Sequence, residues 1–224
     1  TVVELELLVR DGRRAEALAL IAQPLPEDTP VFTIYHRIDA LIDLKEYFTA
    51  LDLIGKYSRR LASDPQAYST LLLDGYAAAG SRQLLPHFEA MLRQPLNPAL
   101  TSLLCAHLIR HPNPQALELL WQKFGITPLP LTTENAGAWF SLLCATGAVG
   151  DKAKLHEVTA RLRQASTTPF YALAAVEAFF RGEISERRIN VFLPILPLPI
   201  DVTYALYERY PLPAALPSEP PKRK

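Results

Sequence analysis

The chain has 224 residues, 49% of them hydrophobic, enough to bury a sizeable core. Lys plus Arg and Asp plus Glu each number 23, so the formal net charge is zero, and the strong overall positive charge common in phosphate-binding proteins is excluded. No apolar stretch reaches the roughly 18 residues of a bilayer crossing, and two cysteines without an Asn-X-Ser/Thr site make no extracellular disulfide framework.

In chain order, "RDGRRAEALAL" places a turn at Gly12, and "QPLPEDTP" at 23–30 marks a seam before the next helices. "DLKEYFTALDL" reads as the same turn without its glycine, near Lys45. In the next segment, Tyr68, Leu71, Leu72, Gly75, Tyr76 and Ala79 fall at i, i+3, i+4, i+7, i+8 and i+11, one face of a helix. Asp64-Pro65 supplies a cap and a first-turn proline, and Gly80 suits the left-handed residue that closes a helix. A second helix carries Leu84, Leu85, Phe88, Met91 and Leu92, and Pro86 predicts that it starts late or bends there. Two amphipathic helices on a short turn form an antiparallel hairpin, which needs neighbours to cover its apolar face.

The chain repeats itself. "TSLLCA" from Thr101 matches "FSLLCA" from Phe140, and a large apolar anchor recurs at Tyr68, Leu100, Trp139, Tyr171 and Tyr204, with spacings of 32, 39, 32 and 33 residues. Turns follow at "IRHPNPQALELL" near His111, "ATGAVGDKAKL" at Gly150 and "FRGEISERRI" at Gly182, and prolines mark seams at 127–131 and 193–199. Periods in roughly the low to mid thirties predict an all-α fold, a right-handed α-solenoid of about six helix–turn–helix hairpins. The solenoid is expected over residues 1–209, followed by an extended proline-rich tail, "YPLPAALPSEPPKRK", whose basic end reads as a solvated terminus. The sequence begins at Thr1, which suggests a processed form.

"DPQAYSTLLLDGYAAAGSRQLLPHFEAML" resembles one unit of the pentatricopeptide repeat (PPR) proteins: an aromatic in a Tyr-Asn-Thr-Leu-like stretch, an Ala-Gly turn, then a Leu/Phe…Met helix. "IDVTYALYERY" is similar to the opening of another unit, and "RDGRRAEALALI" suits the related tetratricopeptide repeat (TPR) equally well. The PPR resemblance implies a non-catalytic mitochondrial factor that binds single-stranded RNA in transcript stability, processing or translation. It also implies that the residue after each anchor helps choose a base. Those residues are Ser69, Thr101, Phe140, Ala172 and Ala205, of which Ser69 and Thr101 have the small polar character of the family and the other three depart from it. Arg59, Arg60, Arg161 and Arg163 are the candidates for phosphate contacts. The TPR resemblance implies instead a protein–protein adaptor or a subunit of a larger assembly, cytoplasmic as an alternative, with its partner in a concave groove.

Residues for catalysis are sparse. Phosphate-loop, nucleophile-elbow and His-Glu-x-x-His patterns are missing from the sequence. His107 and His111 stand four apart, a spacing that can hold a metal only with a third ligand, and Cys105 projects from another face. The reading is therefore no enzyme, no cofactor and no metal. Cys105 and Cys144, at equivalent places in two units, are expected to be buried free thiols.

Overall fold

A computed structural model describes residues 2–126, 130–164, 170–185 and 193–210. The protein is all-α: the described residues form helices and no strand. The chain divides into two compact units, residues 1–93 and 94–224.

The first unit contains α1 (Val2–Arg10), α2 (Arg14–Ala22), α3 (Val31–Asp43), α4 (Tyr47–Lys56), a short α5 (Ser58–Leu61), α6 (Pro65–Ala78) and α7 (Leu84–Leu92). These are three hairpins in series: α1 with α2, α3 with α4, α6 with α7. Each packs on the next, α1 against α3 and α4 against α6. The apolar side chains that sequence periodicity places on one face, such as Ile34, Ile38 and Leu41 of α3, are buried together with Leu5, Leu8, Ala50, Ile54 and Leu61. Gly12 and Gly80 close their helices at positive φ, 71° and 60°. At the glycine-free turn Lys45 takes the same conformation, with φ 61°. Asp64 caps α6, its carboxylate accepting the Ala67 N–H at 3.0 Å. Helix α7 starts at Leu84, so that Pro86 lies in its first turn, where a missing N–H costs little.

The second unit contains α8 (Pro98–Arg110), α9 (Pro114–Ile126), α10 (Ala136–Val149), α11 (Lys152–Gln164), α12 (Phe170–Phe180), a 3-10 turn at Leu193–Ile195, and a last helix, α13 (Ile200–Arg209). Helices α8 and α10 lie side by side, and the repeated SLLCA motif sits on both. Every residue from Leu100 to Ile109 is buried, and so is every residue from Ala138 to Thr146. A helix apolar on all sides is surrounded on all sides. Three of their hydroxyls bond back to their own helix, Ser102 donating to the Pro98 carbonyl, Ser141 to Gly137 and Thr146 to Leu142, at 2.6–2.7 Å, while the buried Thr101 hydroxyl has no such partner.

The order of packing in this unit departs from a simple series of hairpins. Helix α11 lies on α10 and α12 lies on α11, but α13 returns to α8. Val202, Ala205 and Leu206 make its buried side. Tyr204, expected as an apolar anchor, therefore points outward and is 58% exposed. Among the other anchors, Leu100 and Trp139 are buried and Tyr68 is half-buried, while the side chain of Tyr171 lies outside the described residues. Arg209 joins α13 to both central helices, donating to the Ile109 carbonyl at 2.9 Å and the Ala148 carbonyl at 3.1 Å. Gly147 on α10 faces the Phe180 ring so closely that a Cβ would lie 2.2 Å from it. From residue 211 onward the proline-rich tail lies outside the described residues.

Candidate partner-binding surface

The six residues singled out for RNA do not share one environment. Ser69 is half-buried on α6 and Arg59 is exposed on α5. Arg60, next to it, donates to the Thr29 carbonyl and pins the loop before α3. Thr101, the other candidate for base recognition, is fully buried within the second unit. Phe140 and Ala205, at the equivalent positions, are buried as well, and the side chain of Ala172 lies outside the described residues.

Arg161 and Arg163, the other phosphate candidates, meet carboxylates of the protein. Arg161 binds Glu157 at 2.7 Å, one turn away, and lies 5.9 Å from the centre of the Trp139 ring. Arg163 binds Glu177 of α12, a carboxylate with only 4% of its side chain exposed, which Arg181 also binds. A buried carboxylate needs such partners; Arg163 ties α12 to α11 through it, and Arg181 meets it from one turn further along the chain. The same habit runs through the molecule. Arg14 donates to the Leu44 carbonyl and binds Glu46, and Arg37 donates to the carbonyls of Ile21 and Gln23. Guanidinium groups here tie loops and helix ends, where carbonyls lack partners within the helix.

The cysteines are inert. Both are free and buried. Burial raises the Cys105 thiol well above its ordinary range, with a further push from neighbouring Cys144, and burial pushes Cys144 up to about 12. A thiol that burial holds protonated is a poor nucleophile at neutral pH. His107 is buried, with its ring 5.2 Å from that of His111.

No protein-family model, curated protein or solved structure matches this chain. The functional reading therefore rests on its own surfaces.

The first unit presents a mixed apolar and acidic face that the sequence reading did not single out. On α1, Val3, Glu6, Leu7 and Arg10 fall at i, i+3, i+4 and i+7, and on α3, Phe32, His36, Asp39 and Asp43 fall at i, i+4, i+7 and i+11. Val3 is 65% exposed, Phe32 56% and Leu7 42%. His36 Nδ1 lies 3.2 Å from Glu6 Oε1 and its ring stands edge-on to Phe32 at 5.8 Å, so the two helices' outer faces meet. Just beyond, Tyr35 donates its hydroxyl to the Leu61 carbonyl at 3.2 Å. Burial raises the Tyr35 pKa, and the nearby carboxylates of Asp64 and Asp39 raise it further. The signal for this face was present in the sequence as Val-x-x-x-Leu and Phe-x-x-x-His.

Proposed function

We propose that the chain is a non-catalytic helical-repeat scaffold that holds a partner protein, as TPR-like adaptors do. Its first unit is read as a short solenoid of three hairpins, with α1, α3 and α6 as the inner helices. One observation carries the choice of protein over RNA. Three of the four arginines assigned to phosphate are bound to the protein's own carbonyls or carboxylates, while the exposed helical face carries apolar and acidic side chains. Nucleic acid is held by available cations, whereas a polypeptide is held by burial of apolar side chains with a polar rim.

Ser69 and Arg59 favour the RNA reading, because both reach solvent on adjacent helices. Titration of single-stranded RNA pools at low and moderate salt separates the two. The adaptor reading expects no saturable binding at low salt. Saturable binding that weakens steeply with salt and drops on Arg59→Ala or Ser69→Ala overturns it in favour of RNA.

A further inference from the structure

The face shared by α1 and α3 has a definite chemistry. Helices α2 and α3 run antiparallel: Arg14 at the start of α2 reaches the end of α3, and the end of α2 lies against Arg37 in the body of α3. Since α1 and α2 form a hairpin, α1 and α3 run parallel. The Glu6–His36 contact sets their register. One turn earlier on each helix come Val3 and Phe32, and Leu7 follows Glu6, so the exposed apolar side chains form one strip along the seam between two parallel helices.

The charge beside the strip is negative. Glu6, Asp39 and Asp43 belong to these faces, and all three are exposed. The one arginine on the α1 face, Arg10, lies at its far end beside Asp11, at 3.6 Å. Arg37 of α3 turns away toward the carbonyls that end α2. A seam between parallel helices is a groove in which a third helix can lie. The nine residues of α1 span about 13 Å at roughly 1.5 Å per residue, room for two to three turns.

We propose that this face is the docking surface for a short amphipathic helix of a partner protein that carries Lys or Arg beside its apolar stripe. The inference rests on the adaptor reading and adds to it the place and the charge of the ligand. Apolar side chains of the partner cover Val3, Leu7 and Phe32, and its cations meet Glu6 and Asp39 at the rim.

The test uses the full chain and two labelled synthetic peptides, both with leucine at helical spacing, one with lysine at the remaining positions and one with glutamate. Fluorescence anisotropy is expected to show the lysine peptide binding, and the glutamate peptide at least about tenfold weaker. Leu7→Glu and Phe32→Ala are expected each to weaken the lysine peptide about tenfold or more, and Glu6→Lys with Asp39→Lys to reverse the preference. Phe48→Ala, at an aromatic exposed on α4, is expected to leave binding unchanged. All these side chains are exposed, so helicity and melting temperature confirm that the variants fold. Lysine-peptide binding that Leu7→Glu and Phe32→Ala leave intact overturns the placement while leaving the adaptor reading standing. Equal binding of both peptides, or of neither, overturns the charge. A concentration-dependent dimer that Leu7→Glu dissolves makes a second copy the occupant and overturns the proposal. Salt-steep binding of single-stranded RNA without peptide binding defeats the adaptor reading itself.

Discussion

Lys45 sits in the left-handed region, where a Cβ crowds the following carbonyl, because the α3–α4 turn needs the closure that glycine makes at 12 and 80. The Lys45 N–H donates to the Ile42 carbonyl at 2.9 Å and the Glu46 N–H to Leu41 at 2.8 Å, so the turn is held by its backbone rather than by the lysine side chain. Lys45→Gly is expected to raise stability by up to about 1 kcal/mol in urea unfolding, the relief of strain being partly offset by greater freedom in the unfolded chain. Gly147→Ala acts in the other direction. Its methyl would overlap the Phe180 ring, and a loss of about 1–3 kcal/mol is expected, with Phe180→Leu in the same chain restoring part of it. The buried thiols give a pH statement. Burial raises the Cys144 pKa, to about 12, so the stability it contributes is complete below the ordinary thiol range and is lost as pH rises through the folded value. A thiol reagent at about pH 8 is expected to find no reactive cysteine in the native protein and both in denaturant.

Between elements, the strongest constraint is the burial of α8 and α10 on every side. Leu104 and Leu143 are fully buried at matching places, and either one replaced by alanine is expected to cost about 2–5 kcal/mol in chemical denaturation. The recurrence of SLLCA announced two equivalent helices. What it meant for their surroundings was not legible, because small and apolar residues on all sides can belong to an inner helix of an open stack or to a helix that others enclose. Thr101 shows the consequence: a threonine after an anchor has the local character of a base reader, and only the tertiary packing around α8 decides that it is buried. The caps and turns were legible because they depend on neighbours in sequence. Asp64, Gly80, Gly150 and the first-turn Pro86 all behave as local chemistry requires. The partners of the arginines were not legible, since a guanidinium finds its carbonyl through tertiary structure: Arg60 and Thr29 are 31 residues apart, and Arg209 and Ile109 are 100.

For the whole molecule, 23 acidic residues cancel 23 basic ones, and several of the basic ones serve as staples for loops and helix ends rather than as a field for a distant polyanion. Arg209 is the clearest case. Arg209→Ala leaves the carbonyls that end α8 and α10 without that donor, and a loss of about 1–3 kcal/mol in the stability of the second unit is expected, with Arg209→Lys recovering less than half because one ammonium cannot reach both carbonyls in the fork geometry.

The return of α13 to α8 also bears on how the chain is made. A ribosome adding about 5–20 residues per second takes roughly 5–20 seconds to pass from Ile109 to Arg209, positions 100 apart. An interval of that length separates the emergence of α8 from that of the helix that covers one of its sides. Local hairpins such as α1 with α2 have no such delay, since their partners follow within a few residues. Nascent chains stalled before Ile200 should therefore hold the chaperones that recognise apolar segments, and release of those chaperones should coincide with emergence of α13.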